Sequence, residues 1–263
     1  VASDLKLAVS IAKELLQHDI VVCVATSHRD LGIMYTAGAS RDLSTCRARF
    51  SKAVKRTNRI IRIAKVNRSA KKLFSSGAYP QATWGHQLVG LAPTACLKLR
   101  RMAASTTGVS INSQRCLNTC IFVCFGRRRD PWQCILKELV CLWIKLVPKH
   151  FAEKPQDLRI AWGNAKKNVV SGGKVVWNRV TGLLSNVVAN LTLLGWNPLT
   201  FSEWRSPTNE PWIIPLLPET IFSPHLLIYE LQDSAGKQLW KDASTHQHGA
   251  GLQDGVAYAY SMQ

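Results

Sequence analysis

Between Arg41 and Lys72 the positions Leu43, Cys46, Phe50, Ala53, Thr57, Ile60 and Ala64 recur at alternating intervals of three and four. That is the period of a helix with one seam packed on a core. Upstream, Ser3 to His18 reads as a helix capped by Ser3, with Leu5, Ala8, Ile11, Ala12, Leu15 and Leu16 as its stripe. Val21-Val22-Cys23-Val24-Ala25 is a short apolar run rich in β-branched residues, the pattern of a buried strand, and Asp30 to Tyr35 predicts a second. A helix on two strands gives residues 1–36 a small α/β character.

Helical periodicity dominates after that point. Lys71 to Gly77 reads as a helix end with a glycine cap, and Pro93 to Met102 as a helix carrying Lys98, Arg100 and Arg101 near its C-terminal end, where the dipole favours cations. Ile111 to Phe125 predicts a helix ended by Gly126. Asp130 as N-cap, Pro131 at N1 and Gln133 at N3 start another, with Trp132, Ile135, Leu136, Leu139, Leu142, Trp143 and Leu146 as its stripe and Pro148 as its stop. Pro155 to Val169 and Trp177 to Leu194 are further helical patterns. The proline-rich Trp196 to Pro224 reads as an extended wrap or linker, and Leu226 to Leu231, followed by the turn Asp233 to Gly236, as a hairpin strand. The fold class expected is mostly α with a small α/β N-terminal part: a basic helical bundle, then a Trp-rich helical C-terminal region. The expected divisions are 1–36, a basic helical domain over 37–125, a helical domain over 126–195, and a Pro-rich linker with a small C-terminal region over 196–263.

Charge changes the meaning of the first helix. The chain carries a net charge of +18, which predicts attraction to polyanions and salt-dependent association. Within Arg41–Lys72 Asp42 is the lone acid, and Arg47, Arg49, Lys52, Lys55, Arg56, Arg59, Arg62 and Lys65 fill the faces outside the seam. Solvated charged faces ordinarily mix signs, and this one does not. The cluster Arg127-Arg128-Arg129 is a second basic strip. Both are candidate phosphate contacts, which position a strand without reading its sequence. Trp84 or Tyr79 is a candidate stacking platform for a base, set against a buried aromatic beside Pro80.

An apolar content of 46% with nine tryptophans excludes general disorder. No run of about 18 apolar residues exists, so no membrane span is expected. Cys116, Cys120 and Cys124 recur every four residues, but the helical spacing and missing nearby histidine favour core thiols over a metal site. With no Cys-x-x-Cys pair, the chain reads as reduced and intracellular. His246 and His248 read as a loop, and Gly172-Gly173-Lys174 fails the Walker pattern. No catalytic residues and no cofactor are assigned. Val1 is not an initiator methionine, and an ending at Gln263 without a structural stop suggests a segment of a longer protein.

Asp30-Leu31-Gly32-Ile33, the arginine-rich helix, Lys72-Leu73-Phe74 and Tyr79-Pro80-Gln81-Ala82-Thr83-Trp84-Gly85 follow one another in an order that resembles the region after the catalytic palm of non-LTR (LINE-type) retroelement reverse transcriptases. The likeness covers about Leu5 to Met102. Asp130-Pro131, Trp177, Leu194-Gly195-Trp196 and His246 to Gly255 are similar to downstream parts of such reading frames. The resemblance implies a thumb or connection region that grips template and primer. Polymerase chemistry needs paired aspartates holding two divalent ions, and no Asp-Asp pair occurs in the chain. Magnesium would belong only to a longer catalytic parent. The expected function is therefore binding of RNA or an RNA/DNA hybrid without a polymerase centre. The alternative is a structural RNA-binding subunit of a large ribonucleoprotein whose Trp-rich half contacts protein neighbours.

Overall fold

A computed structural model of the chain describes residues 4–25, 27–31, 33–36, 40–109, 116–216, 223–246 and Gly255. Helix accounts for 66% and strand for 9% of them, so the fold is mostly α with small sheets. Helix α1 spans Leu5–Leu16, with Asp4 as N-cap accepting from the amides of Lys6 and Leu7. Ser3, the expected cap, lies outside the described residues. No residue of α1 is buried, and Leu5, Leu7 and Ile11 of its apolar face are exposed. Residues 20–25 form no strand, and Val21 is 82% exposed. Among the described residues these β-branched-rich positions have no partner strand, and propensity alone does not make a sheet. The strands that do form, β1 (Ser27–Asp30) and β2 (Ile33–Thr36), pair antiparallel as a hairpin, with Arg29 opposite Met34.

Helix α2 (Ser44–Ala64) buries Phe50, Ala53, Thr57, Ile60 and Ala64 of the predicted seam, while Cys46 is half-buried and Leu43 is the half-buried N-cap. It stops at Ala64 rather than continuing to Lys72. A 3₁₀ turn (Arg68–Lys71), a π turn (Phe74–Ala78) and α3 (Tyr79–Thr83) then fold back against it, and α4 (His86–Val89) follows. Helix α5 (Pro93–Ser105) and α6 (Leu117–Phe125, closed by Gly126 at φ 90°) follow.

The core is organised around α7, Pro131–Glu153. It packs against α4, α5, α8 (Pro155–Val169), α9 (Leu183–Leu193) and α10 (Pro224–Ser244). Asp130 caps it through the Trp132 amide at 2.9 Å. Gln133 does not complete a capping box; neither amide atom of its buried side chain has a partner. Pro148 does not stop α7. It sits inside the last two turns, where buried Trp143 and Val147 on the preceding turn hold the helix against its neighbours, outweighing the roughly 3 kcal/mol that an interior proline costs.

Between α8 and α9, β3 (Val170–Ser171) and β4 (Lys174–Val175) form a two-residue hairpin with Gly172 and Gly173 at positive φ, as a type I′ turn requires. Two C-terminal expectations are corrected. Residues 196–213 are not an irregular linker but contain an antiparallel sheet of β5 (Asn197–Pro198), β6 (Glu203–Arg205) and β7 (Pro211–Ile213). Trp204 is fully buried there, and Trp143 Nε1 donates to the Phe201 carbonyl at 3.0 Å. Leu226–Leu231 is not a strand but part of the first turns of α10, because Leu227, Leu231, Ala235 and Leu239 continue at four-residue spacing and Gly236 is buried against the core. One buried cluster runs from Phe50 to Trp240 and includes residues on both sides of positions 125 and 195.

A buried polar chain ties the helices. Arg100 Nε donates to Asp130 Oδ2 at 2.7 Å, its Nη2 donates to Asn118 Oδ1, and Asn118 Nδ2 donates to the Leu239 carbonyl at 2.8 Å. Removing one ion of a buried pair strands the other and costs about 3–5 kcal/mol. Arg100→Met alone should lower the urea-unfolding free energy by about that amount. Arg100→Met with Asp130→Ser keeps a cap for α7 while removing both charges, and should recover at least half of the loss.

Candidate nucleic-acid interface

At 100° per residue the buried seam of α2 occupies an arc of about 80°, and the cations cover the rest of the circumference. Lys52, Lys55, Arg59 and Arg62 fall within about 80° of one another on the side opposite the seam, spread over about 15 Å of axis. One strand of a duplex presents about four to five phosphates over that length. Arg47, Lys52, Lys55, Arg56, Arg59, Arg62 and Lys65 are all exposed. Among the described residues the close charged contacts are Arg100–Asp130 and Lys237–Asp233, with His86 near Glu138 a pair only when the imidazole is protonated, and none of them is on α2. Asp42 is occupied by the Ser44 amide at 2.7 Å, a hydrogen bond that holds its carboxyl below the usual range.

Several arginines at this helix meet carbonyls rather than carboxylates. Arg41 Nη1 donates to the Val89 and Gly90 carbonyls at 2.9 Å each, and Arg49 Nη1 to that of Trp84 at 3.0 Å. Arg56 Nη1 reaches the Gly77 carbonyl at 3.1 Å. Trp84 and Gly90 are the C-caps of α3 and α4, where unpaired carbonyls and the negative dipole end attract cations. Burial lowers the Arg41 pKa, and its guanidinium also lies 6.0 Å from the Trp177 ring centroid. Arg49 is thus half-committed to the fold, whereas Lys52, Lys55, Arg59, Arg62 and Lys65 carry no such bond.

The two aromatic candidates separate. Tyr79 is half-buried and donates to Glu138 Oε1 at 3.0 Å, and burial pushes its hydroxyl pKa upward. Trp84 is 59% exposed beside Arg49, its Nε1 donating to the Leu31 carbonyl at 3.2 Å. Gly85 makes that placement possible. It sits at φ 76°, and a Cβ there would meet Ile33 Cγ1 at 2.8 Å, so a larger residue would push the hairpin away. Trp84, Ile33, Met34, Cys46 and Arg49 line a shallow cleft between the hairpin and α2.

In the second strip, Arg128 and Arg129 are exposed in a 3₁₀ turn between α6 and α7, while the Arg127 side chain lies outside the described residues. Arg128 stacks over Tyr229 of α10, 4.6 Å from the ring centroid. Beneath it, Gln133, Gln232 and Asp233 line a hollow. Leaving an amide such as that of Gln133 buried without partners costs about 1–3 kcal/mol. Sequence reading missed both this hollow and the structural role of Arg100. The latter had a signal, since Arg100 falls in the stripe of Cys96, Leu99 and Ala103.

Among the described residues no group of three His, Cys, Asp or Glu side chains is placed to hold a metal ion. Burial pushes the Cys96 and Cys134 thiols up to about 12 and about 11, which keeps them protonated and unreactive near neutrality. The pair His246–His248 lies partly outside the described residues. No helix among them is long and apolar enough to cross a membrane. Most tryptophans of the C-terminal half serve the chain's own core, with Trp132, Trp143, Trp162, Trp196, Trp204 and Trp240 buried and Trp177 and Trp212 half-buried. Compared with known proteins, the chain matches no family model, no curated protein and no solved structure.

His86 gives this region a pH dependence. It is buried between α3 and α7, with Nδ1 2.8 Å from the Thr83 carbonyl and Nε2 3.6 Å from Glu138 Oε2. Burial lowers its pKa from 6.5 in spite of Glu138. The unfolded chain therefore takes up this proton first, so the contribution is intact above 6.5 and is lost as pH falls below it. Thermal unfolding followed from pH 7.5 to 5 should show a falling midpoint, and His86→Gln should flatten that slope.

Proposed function

We propose that this chain is a nucleic-acid-binding segment, for RNA or an RNA/DNA hybrid, of a reverse-transcriptase-like retroelement protein and that it contains no polymerase centre of its own. The observation that carries the binding is α2: a helix docked by one seam whose opposite face holds Lys52, Lys55, Arg59 and Arg62 with no carboxylate partner among the described residues. Phosphates supply the missing counter-charge, and release of condensed counterions drives the association. Arg128 and Arg129 form a second contact strip, and Trp84 is an exposed aromatic beside Arg49.

The retroelement affiliation rests on the resemblance over residues 5–102. It gains support from the packing of the segments that carry it. The turn at Leu31 and the Tyr79–Gly85 element touch through Trp84 Nε1 and Gly85, so motifs some fifty residues apart in sequence are neighbours in space. An intracellular location goes with this reading, and eight free cysteines are compatible with it. The reading as a ribonucleoprotein subunit has less behind it, because most of the tryptophans that would face protein neighbours are buried in the chain's own core.

Fluorescence anisotropy with a labelled single-stranded RNA and an RNA/DNA hybrid tests the binding. Raising salt from 50 to 200 mM should weaken it by about three orders of magnitude, as expected for six or more phosphate contacts. Lys55→Glu, Arg59→Glu and Arg62→Glu together should abolish it without lowering the thermal midpoint, since none of the three is bonded to the fold among the described residues. Binding that barely responds to salt would refute the proposal. An aromatic-x-Asp-Asp motif in the transcript upstream of Val1 would establish the parent polymerase.

A further inference from the structure

The hollow beneath Arg128 has a composition that phosphate contact alone does not use. Gln133 occupies the N3 position of α7 and is fully buried, yet neither Oε1 nor Nε2 has a hydrogen-bond partner. Tyr229, Gln232 and Asp233 lie on one face of α10 at i, i+3 and i+4 and form the opposite wall. Gln232 is itself held, its Nε2 donating to the Gln133 carbonyl at 3.3 Å. At the mouth stands the Tyr229 ring, 42% exposed, with the exposed Arg128 guanidinium stacked on it at 4.6 Å. A planar aromatic wall, a cation beside it and an adjacent donor and acceptor behind it match one class of ligand. An unpaired nucleobase offers a π-face to the ring, a hydrogen-bonding edge to the amide and a phosphate to the cation.

We infer that this hollow receives one unpaired base of a bound single strand, and that the base is adenine. The inference rests on the nucleic-acid reading above. A glutamine amide pairs with adenine in bidentate fashion, its N–H donating to N7 while its oxygen accepts from the N6 amino group. Arg128 leaves the ring for the phosphate of the incoming nucleotide, the base takes its place over Tyr229, and the edge of the base meets Gln133. The α2 surface supplies affinity that is indifferent to sequence, and this hollow adds a preference at one nucleotide.

The experiment measures anisotropy of the full chain with labelled ten-nucleotide oligo(A), oligo(U) and an abasic strand of equal length. Wild type should bind oligo(A) about 5- to 150-fold more tightly than the abasic strand, the range that stacking of one base allows. Gln133→Leu, a same-sized apolar replacement that relieves an unpaired amide, should remove the preference for oligo(A) over oligo(U) and leave abasic binding unchanged. Tyr229→Ala should bring oligo(A) down to the abasic level. The base site is overturned if wild type binds oligo(A) and the abasic strand equally, or if oligo(A) preference survives Gln133→Leu. Either result leaves salt-dependent binding of the abasic strand, and with it the α2 reading, standing. If no strand binds, that reading fails separately. The hollow is then judged with adenosine monophosphate by calorimetry up to millimolar concentration, where saturable binding lost in Gln133→Leu supports it and no binding overturns it.

Discussion

The pair Arg100–Asp130 is the contact on which the arrangement of helices depends. Both side chains are buried, and desolvating two charges is repaid only when geometry is close and remaining donors are used. Here Asp130 also accepts from the first turn of α7, and Arg100 passes its second branch to Asn118, which ends on a carbonyl of α10. The start of α7 is therefore placed by α5, and α10 is tied to α6, through one chain of hydrogen bonds. Apolar packing across the cluster that includes Leu136, Leu139 and Leu231 provides the burial energy, but it has no direction. The ion pair supplies the register, and with it the place where Arg128 and Gln133 stand relative to Tyr229.

Helix α2 sets a second balance. Each like-charge neighbour on its surface costs a few tenths of a kcal/mol, while burial of Phe50 and Ile60 gains about 1.5–3 kcal/mol apiece. The seam wins without any anion, so the cationic face is held in place before a ligand arrives. That pre-ordering matters for binding, since a surface already fixed loses little entropy on association. The arginines nearest the fold are relieved by helix-terminal carbonyls, and the outward ones are left to solvent.

Where the sequence was legible, one rule decided each case. Pro155 and Val169 bound α8 because a proline at N1 and two lysines in the last turn agree with each other, and the α2 seam followed from its period alone. The failures have physical causes too. Val21 to Ala25 has β-branched residues but no partner strand among the described residues. Leu226 to Leu231 is an apolar run too short to separate strand from helix by period, and Gly236 pointed to a turn because its burial against the core is a tertiary fact. Pro148 stays inside a helix because of side chains on neighbouring elements. Arg100 counted as one more surface cation, although its stripe partners Cys96, Leu99 and Ala103 already placed it inward.

That last case alters the meaning of the +18 net charge. A cation count treats every arginine as available, but Arg100 is consumed by Asp130, Arg41 by the end of α4, and Arg49 partly by the end of α3. Those three help build the scaffold that presents the others. Lys52, Lys55, Arg59 and Arg62 remain, aligned on one side of a rigid helix. A flexible basic tail of equal charge would attract a polyanion just as far away. It would not hold four cations at a spacing near that of phosphates, and so would gain less from the strand it met. The scaffold arginines therefore contribute to binding indirectly, by keeping α2 in place, and a substitution at Arg41 or Arg49 acts first on structure.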